Sequence, residues 1–318
     1  MKILITGAAG YLGQLLVKSL NQNKNIDNIF ALDKKPKPES LILNSKIQYF
    51  KLDLAKNKWE EKIPEIPNVI VHLAFDIRTK YGQNKKQELN NIFGTKQVLK
   101  YCIDKKIKKL IYFSSVAAYG AKPENIGRFL TENDPLTETI YPYAAQKKET
   151  EEIIEKYKNL GSQIIIIRSG SITGQEGGKR KNLGLLKFIK NIAPVLPIIN
   201  PGWARQYLHE NDAIEAIKFL IFNNVEKQFE IFNLAPSDLI TMADMAKLLH
   251  KKTIKIPAVL IKPIFALSWH LTFGLIPTPP GSDKSFIYPI NVDGSKINKI
   301  GFNYKYSIVK TFLGENDK

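Results

Sequence analysis

The chain has 318 residues, enough for one large or two modest domains and for a substantial core without disulfide or metal staples. Its net charge of +17 raises a nucleic-acid or membrane-surface reading, but the only arginines are Arg78, Arg128, Arg168, Arg180 and Arg205, and no recognisable nucleic-acid module accompanies the lysines, so nucleic acid is not an expected partner. Cys102 is the sole cysteine and His72, His209, His250 and His270 lack metal-ligand spacing, which excludes an intrachain disulfide and leaves no metal site expected.

In chain order, Lys2–Thr6 is predicted as a strand running into a glycine turn, with no signal-peptide pattern, so the cytoplasm is the expected compartment. A helix follows over Tyr11–Leu20, then strands over Asn28–Asp33, Ile47–Leu52, Val69–Ala74 and Leu110–Ser114. Apolar Leu89, Ile92, Phe93, Leu99 and Ile103 at helical spacing predict one long helix from about 83 to 105. Another helix is predicted over 143–157, ahead of the run Ile164–Ile167, which suits a strand buried on both faces of a parallel sheet. Strands alternating with helices predict an α/β fold, a Rossmann-type doubly wound parallel sheet. After about residue 170 the pattern shortens and prolines multiply. Residues 1–170 are therefore expected as the nucleotide-binding domain and 171–318 as a smaller, partly interleaved C-terminal substrate lobe.

Gly7-Ala8-Ala9-Gly10-Tyr11-Leu12-Gly13 follows a predicted strand and opens a predicted helix. Small residues there let backbone approach a pyrophosphate, and the helix N-terminus stabilises its charge. Asp33, 20 residues past Gly13, is placed to accept hydrogen bonds from both hydroxyls of an adenosine ribose, and its charge favours NAD over NADP. Lys34 and Lys35 are either a solvated turn or partners for a 2′-phosphate. Asp53 is a candidate for the adenine amino group or for a helix N-cap.

Tyr143 and Lys147 stand one helical turn apart on the same face. A cation beside the phenol favours its phenolate, which can take a proton from a substrate hydroxyl as hydride leaves the same carbon. Ser115, at the sheet edge where ligands bind in such folds, can hydrogen-bond the same oxygen.

These segments together resemble the extended short-chain dehydrogenase/reductases, the NAD-dependent epimerase/dehydratase family. Thr6–Gly13 matches T-G-x-x-G-x-x-G and Val71-His72-Leu73-Ala74 matches V-x-H-L-A, making His72 a framework residue. Asn91–Thr95 matches N-V-x-G-T, and Phe113–Gly120 matches F-S-S-x-x-V-Y-G with Ser115 on the catalytic Ser/Thr. Pro142-Tyr143 with Lys147 matches P-Y-x-x-S-K, with Gln146 in place of the usual Ser; Arg168 with Gly174 and Arg205–Asp212 match two further segments. The resemblance implies Ser115, Tyr143 and Lys147 as catalytic. It implies Gly7, Ala9, Gly10, Tyr11, Leu12, Gly13, Asp33, Asp53, Leu54, Leu73, Ala74, Asn91, Ser114, Tyr143 and Lys147 as lining an NAD site, and Ser115, Tyr143 and Arg205 as touching substrate.

The same resemblance implies a nucleotide-sugar substrate and a homodimer through the helices near 83–105 and 143–157. Arg205 is then a clamp on the substrate diphosphate, or else the partner of Asp212 in a salt bridge. Lys179-Arg180-Lys181 is a pocket-mouth charge or a solvated loop. Val116-Ala117 occupies the positions of the Asp-Glu pair of sugar 4,6-dehydratases, which points away from dehydration, and Ser169-Gly170-Ser171 departs from the Asn-Pro of many UDP-sugar epimerases. The apolar stretch Pro257–Ile276 is expected to form a helix packed on the substrate lobe. The alternative is a pocket wall for a less polar alcohol or ketone, as in 3β-hydroxysteroid dehydrogenase-like and flavonol-reductase-like relatives, with the basic surface resting on anionic membrane.

Overall fold

The computed structural model describes residues 1–42, 44–56, 58–175, 190–191 and 193–315. Seven strands make one sheet: β1 (Lys2–Thr6), β2 (Asn28–Asp33), β3 (Ile47–Lys51), β4 (Val69–His72), β5 (Lys109–Ser115), β6 (Gln163–Ser169) and β7 (Phe229–Leu234). Their order is β7-β6-β5-β4-β1-β2-β3, and every pairing is parallel. The chain winds outward from β1 to β3, then restarts at β4 on the other side of β1. That reversal opens a crevice at the carboxyl ends of β1 and β4, the doubly wound arrangement expected from the alternating pattern.

The helices that matter here are α1 (Tyr11–Asn21), α2 (Asn84–Glu88), α3 (Gly94–Asp104), α4 (Pro142–Glu155), α5 (Glu210–Phe222), α6 (Met242–Leu248) and α7 (Ile261–Leu271). Leu16, Val17 and Leu20 of α1 and Ala213, Ile217 and Leu220 of α5 bury one face of the sheet against Ile3, Ile5, Ile165 and Ile167. Val98, Leu99 and Cys102 of α3 and Ile154 of α4 bury the other against Leu4, Ile70, Leu110, Ile164 and Ile166. Each large side chain so buried contributes roughly 1.5–3 kcal/mol. The isoleucine run of β6 is thus enclosed above, below and on both edges, as a strand without polar alternation must be.

The long helix expected near 83–105 is interrupted. A π-helical turn, Leu89–Phe93, separates α2 from α3. The wider turn directs Asn91 inward, where its amide bridges the Asp76 backbone and Gln146 Oε1 (2.7 Å).

Beyond β6 the elements are short. Two-stranded ribbons join Ser171–Thr173 to Tyr207–His209, Ala204–Arg205 to Ile240–Thr241, and Val195–Ile198 to Lys252–Lys255. Leu196, Trp203, Tyr207, Met245 and Phe312 form a small core of their own with α6. The stretch Pro257–Ile276 does contain a helix, α7, but does not pack as expected. Only Ile261 and Trp269 of α7 are buried, while Leu267 is 60% and Leu271 70% exposed. Tyr81, Phe286 and their neighbours offer cover to one stripe alone. Among the described residues no helix is long and apolar enough to cross a membrane.

Candidate active site

The end of β1 turns at Gly7, whose φ of +74° is open to glycine without strain. A Cβ there would lie 2.7 Å from the Ala74 amide nitrogen, and one at Gly13 would lie 2.2 Å from the Gly7 carbonyl oxygen. The turn is closed by the Gly10 amide donating to the Gly7 carbonyl (2.9 Å), and Ala8 donates to Leu32 O (3.0 Å). No side chain caps the first turn of α1 at Gly10, so its amides remain available to an anion.

Asp33 is nearly buried beside this turn. Its Oδ2 accepts from the Ala9 amide (3.0 Å) and its Oδ1 from the Lys35 amide (2.9 Å), which joins the acid to the glycine turn as one unit. Leu73 and Ala74 complete the wall, their amides donating to Thr6 O (3.1 Å) and Thr6 Oγ1 (3.3 Å). Lys34 is not a free solvated charge, because its ammonium pairs with Asp76 at 2.7 Å. Tyr11 donates its hydroxyl to the Glu210 carboxylate of α5, and Leu12 packs on the core beneath. Asp53 Oδ1 accepts from the Ala55 amide (3.0 Å) in a turn that does not open a helix, while Leu54 is buried against Gly94. Asn91, 1% exposed, reaches this region through the Asp76 backbone.

His72 is held between Thr6 Oγ1 (2.6 Å) and Thr95 Oγ1 (2.9 Å). Burial, reinforced by the charge of Lys147, drives its pKa down to about 3. It is a neutral strut between β1 and α3.

Ser115 ends β5 and Tyr143 opens α4, which brings the serine side chain beside the phenol. Ser115 Oγ also accepts from the Ala117 amide (3.2 Å), starting the short helical turn Val116–Tyr119. Pro142 at the first position of α4 suits a helix start and aims Tyr143 at the strand end. Burial raises the Tyr143 pKa above the ordinary tyrosine value, with the neighbouring Ser115 opposing it. Lys147, one turn along and 3% exposed, donates to Phe113 O (2.6 Å) and the Tyr112 hydroxyl (3.2 Å). Its ammonium also sits 3.6 Å from the centre of the Phe75 ring. Burial holds the Lys147 ammonium well below the usual lysine range, against the pull of Glu151.

Three residues that the motifs did not single out belong to this cluster. Phe75 lies edge-on to Tyr143 (5.8 Å) while its face receives Lys147, and Tyr112 backs the same ammonium. Glu151 continues the 143–147 spacing by one more turn, a signal present in the sequence. It accepts from Ser114 Oγ and from Arg168 Nε (2.9 Å), all three groups being buried. Ser114 is therefore turned into the interior while Ser115 faces the crevice. Arg168 also donates to the Tyr119 hydroxyl (2.8 Å), which lies 2.8 Å from Asn233 Oδ1 of β7.

Arg205 lies in the ribbon beyond the sheet, where its charge acts on Tyr141, the ring neighbour of Tyr143. Its Nη2 donates to Ser285 O (3.2 Å) and its guanidinium stacks 5.1 Å from Trp203. The proposed bridge to Asp212 is replaced by the Lys305 and Tyr306 amides, which occupy that carboxylate. The Lys179-Arg180-Lys181 run lies outside the described residues.

The sheet order, the glycine turn at the β1–α1 junction and the Ser–Tyr–Lys cluster at the carboxyl edge define a Rossmann-type α/β protein. The chain belongs to the NAD dependent epimerase/dehydratase family, whose sequence profile matches residues 3–235. A putative UDP-glucose 4-epimerase of Methanocaldococcus jannaschii is 27% identical over 223 residues, 67% of this chain and 71% of that protein. A 3 beta-hydroxysteroid dehydrogenase/Delta 5-->4-isomerase of monkeypox virus is 32% identical over 162 residues, 49% of this chain and 46% of its own. The solved structure of UDP-glucuronic acid 4-epimerase from Bacillus cereus in complex with NAD superposes with a TM-score of 0.75 at 23% identity, covering 99% of this chain and 97% of that one.

Proposed function

We propose that the protein is an NAD-dependent enzyme that epimerises a nucleotide sugar by oxidising one sugar hydroxyl and reducing the resulting ketone from the other face. The observation that carries this reading is the convergence of Ser115, Tyr143 and buried Lys147 at the carboxyl end of β5, with Phe75 between the phenol and the ammonium, in the same protein as the Asp33–glycine unit. A dinucleotide suits the residues present. The turn is bare backbone where a side chain would collide, and a carboxylate waits at the end of β2. In this reading the α1 N-terminus faces the pyrophosphate and Asp33 receives the adenosine ribose hydroxyls, disfavouring a 2′-phosphate. Lys34, engaged with Asp76, does not offset that charge.

When bound, the nicotinamide supplies a hydride acceptor and donor and a positive charge next to the phenol. Ser115 holds the substrate oxygen. Tyr143 takes the hydroxyl proton as the C–H electron pair leaves, and returns it when hydride is delivered to the opposite face. Burial alone keeps Tyr143 protonated, so positive charge from the ring and from Lys147 is what prepares it as a base. Arg205 is assigned to the substrate phosphates, and Val116-Ala117 provides no acid–base pair for water elimination.

The test is turnover of a panel of UDP-, GDP- and dTDP-sugars. Inversion without net change in absorbance at the reduced-nicotinamide band supports epimerisation, and no binding or turnover of any would refute it. A second reading, a dehydrogenase of a less polar alcohol, is favoured by the match of 162 residues to the viral steroid enzyme. It predicts a net absorbance change with such a substrate. A homodimer through the α3 and α4 faces belongs to the same proposal, and a monomeric mass by light scattering at micromolar concentration would contradict it.

A further inference from the structure

Eight large apolar side chains stand exposed within residues 259–276. They are Val259 (78%), Leu260 (46%), Ile264 (46%), Leu267 (60%), Leu271 (70%), Phe273 (74%), Leu275 (88%) and Ile276 (48%). Elsewhere among the described residues such side chains are scattered along the chain, which is ordinary; here they are contiguous, which is not. On α7, Leu260, Ile264, Leu267 and Leu271 recur at helical spacing and form one stripe. It lies roughly a third of a turn round from the Ile261–Phe265–Trp269 stripe that packs on the protein. The fold therefore uses one face of α7 to anchor the helix and leaves a second apolar face outward. The anchor is built, not incidental: Trp269 packs on Tyr81, whose hydroxyl meets His270 Nδ1 at 3.0 Å.

Charge selects the occupant. Between Asp244 and Asp283 the chain has no acidic residue, yet it carries Lys247, Lys251, Lys252, Lys255 and Lys262. Lys247, Lys252, Lys255 and Lys262 are exposed, and Lys80 is exposed next to Tyr81. A second copy of this chain would bring like charge against like. We propose that residues 252–276 form an interfacial docking surface for an anionic lipid bilayer. The stripe and the Phe273–Ile276 tip enter the headgroup–acyl boundary, and the flanking lysines meet lipid phosphates. At 11 residues α7 lies in the interface plane and does not span it. A bilayer accepts protruding leucines without the shape complementarity that a protein partner would need.

The experiment is co-sedimentation of the purified full chain with phosphatidylcholine vesicles and with phosphatidylcholine vesicles containing phosphatidylglycerol, at low and raised sodium chloride. Binding should be confined to the anionic vesicles and should weaken with salt. The pair Leu267→Glu/Leu271→Glu should lower the partition coefficient at least about tenfold. Lys252→Glu/Lys255→Glu should lower binding by a smaller factor, while Ile66→Glu, an exposed position in another region, should leave it unchanged. Because the replaced side chains are exposed, far-UV circular dichroism and NAD affinity should match the parent and so exclude misfolding. No binding to anionic vesicles, or binding indifferent to the Leu267/Leu271 pair, overturns the proposal. So does concentration-dependent self-association that the pair abolishes, which would make a second copy the occupant.

Discussion

Helices α1 and α7 are each 11 residues long and rich in aliphatic side chains, yet they end in opposite environments. α1 lies on a sheet and opposite α5, so Leu16, Val17 and Leu20 vanish completely from solvent. α7 has one loop and one short helical segment as neighbours and buries two residues. Apolar periodicity specifies that a helix forms and which side is oily. It does not specify that the molecule will supply a cover. The nucleotide side of the protein is a closed three-layer packing, and the 252–276 region is a surface waiting for a second phase.

That contrast can be broken at several points. The largest expected effect is on chemistry: Tyr143→Phe removes one hydroxyl at the closed end of the crevice and should lower turnover by about 10²–10⁴-fold. The ring contacts with Phe75 and Tyr141 persist, so NAD affinity should hold in a direct binding titration. A loss of affinity equal to the loss of rate would make Tyr143 structural. Next, Glu151→Gln leaves the Arg168 guanidinium buried with a neutral partner. It should cost about 3–5 kcal/mol in urea unfolding, where an exposed pair would cost under about 1.

Leucine truncation tests the comparison directly. Leu16→Ala opens the closed layer and should cost about 2–5 kcal/mol, whereas Leu271→Ala should stay within about 0.5 kcal/mol. Equal costs would show that α7 is covered in solution. Near neutral pH the smallest effect is the pH dependence, which grows only on acidification. Folded His72 titrates near 3 while the unfolded residue titrates near 6.5, so below 6.5 the unfolded chain binds a proton that the folded chain refuses. Stability should be full above about pH 6.5 and fall by about 1.4 kcal/mol per unit toward pH 3. His72→Gln should flatten the slope by one proton in denaturant titrations across that window.

Most of the sheet was legible because strand and helix periods are local properties. Lys2–Thr6 and Asn28–Asp33 form at the expected residues, the next four strands shift by one or two at their ends, and β7 was not foreseen. The π-turn was not legible, since it answers to a bond from Asn91 to Gln146, 55 positions away. The same bond gives a role to the Gln146 that departs from the family's usual Ser. Phe75 left no sequence signal because it sits in a loop whose path is set by Asp76 contacts with Asn90 and Asn91. Glu151 did carry a signal in its spacing, and only its burial with Arg168 gives that spacing meaning. Arg205 and Asp212 are near in sequence and of opposite charge, yet each found another partner in Ser285 and in the Lys305–Tyr306 backbone.

The late arrival of β7 sets a constraint on how the protein is made. β6 ends at Ser169 and its outer neighbour begins at Phe229, with α5 also falling in the intervening or adjoining chain. At ~5–20 residues per second, the ribosome takes roughly 3–12 s to deliver that stretch. Throughout that time the all-isoleucine segment Ile164–Ile167 is a bare sheet edge, with one oily face uncovered until α5 emerges, the kind of template that pairs with another nascent chain. Expression of residues 1–170 alone should therefore give mostly insoluble protein, measured by the pellet-to-supernatant ratio after lysis. Yield of the whole protein should depend on how fast translation proceeds between Ser169 and Leu234.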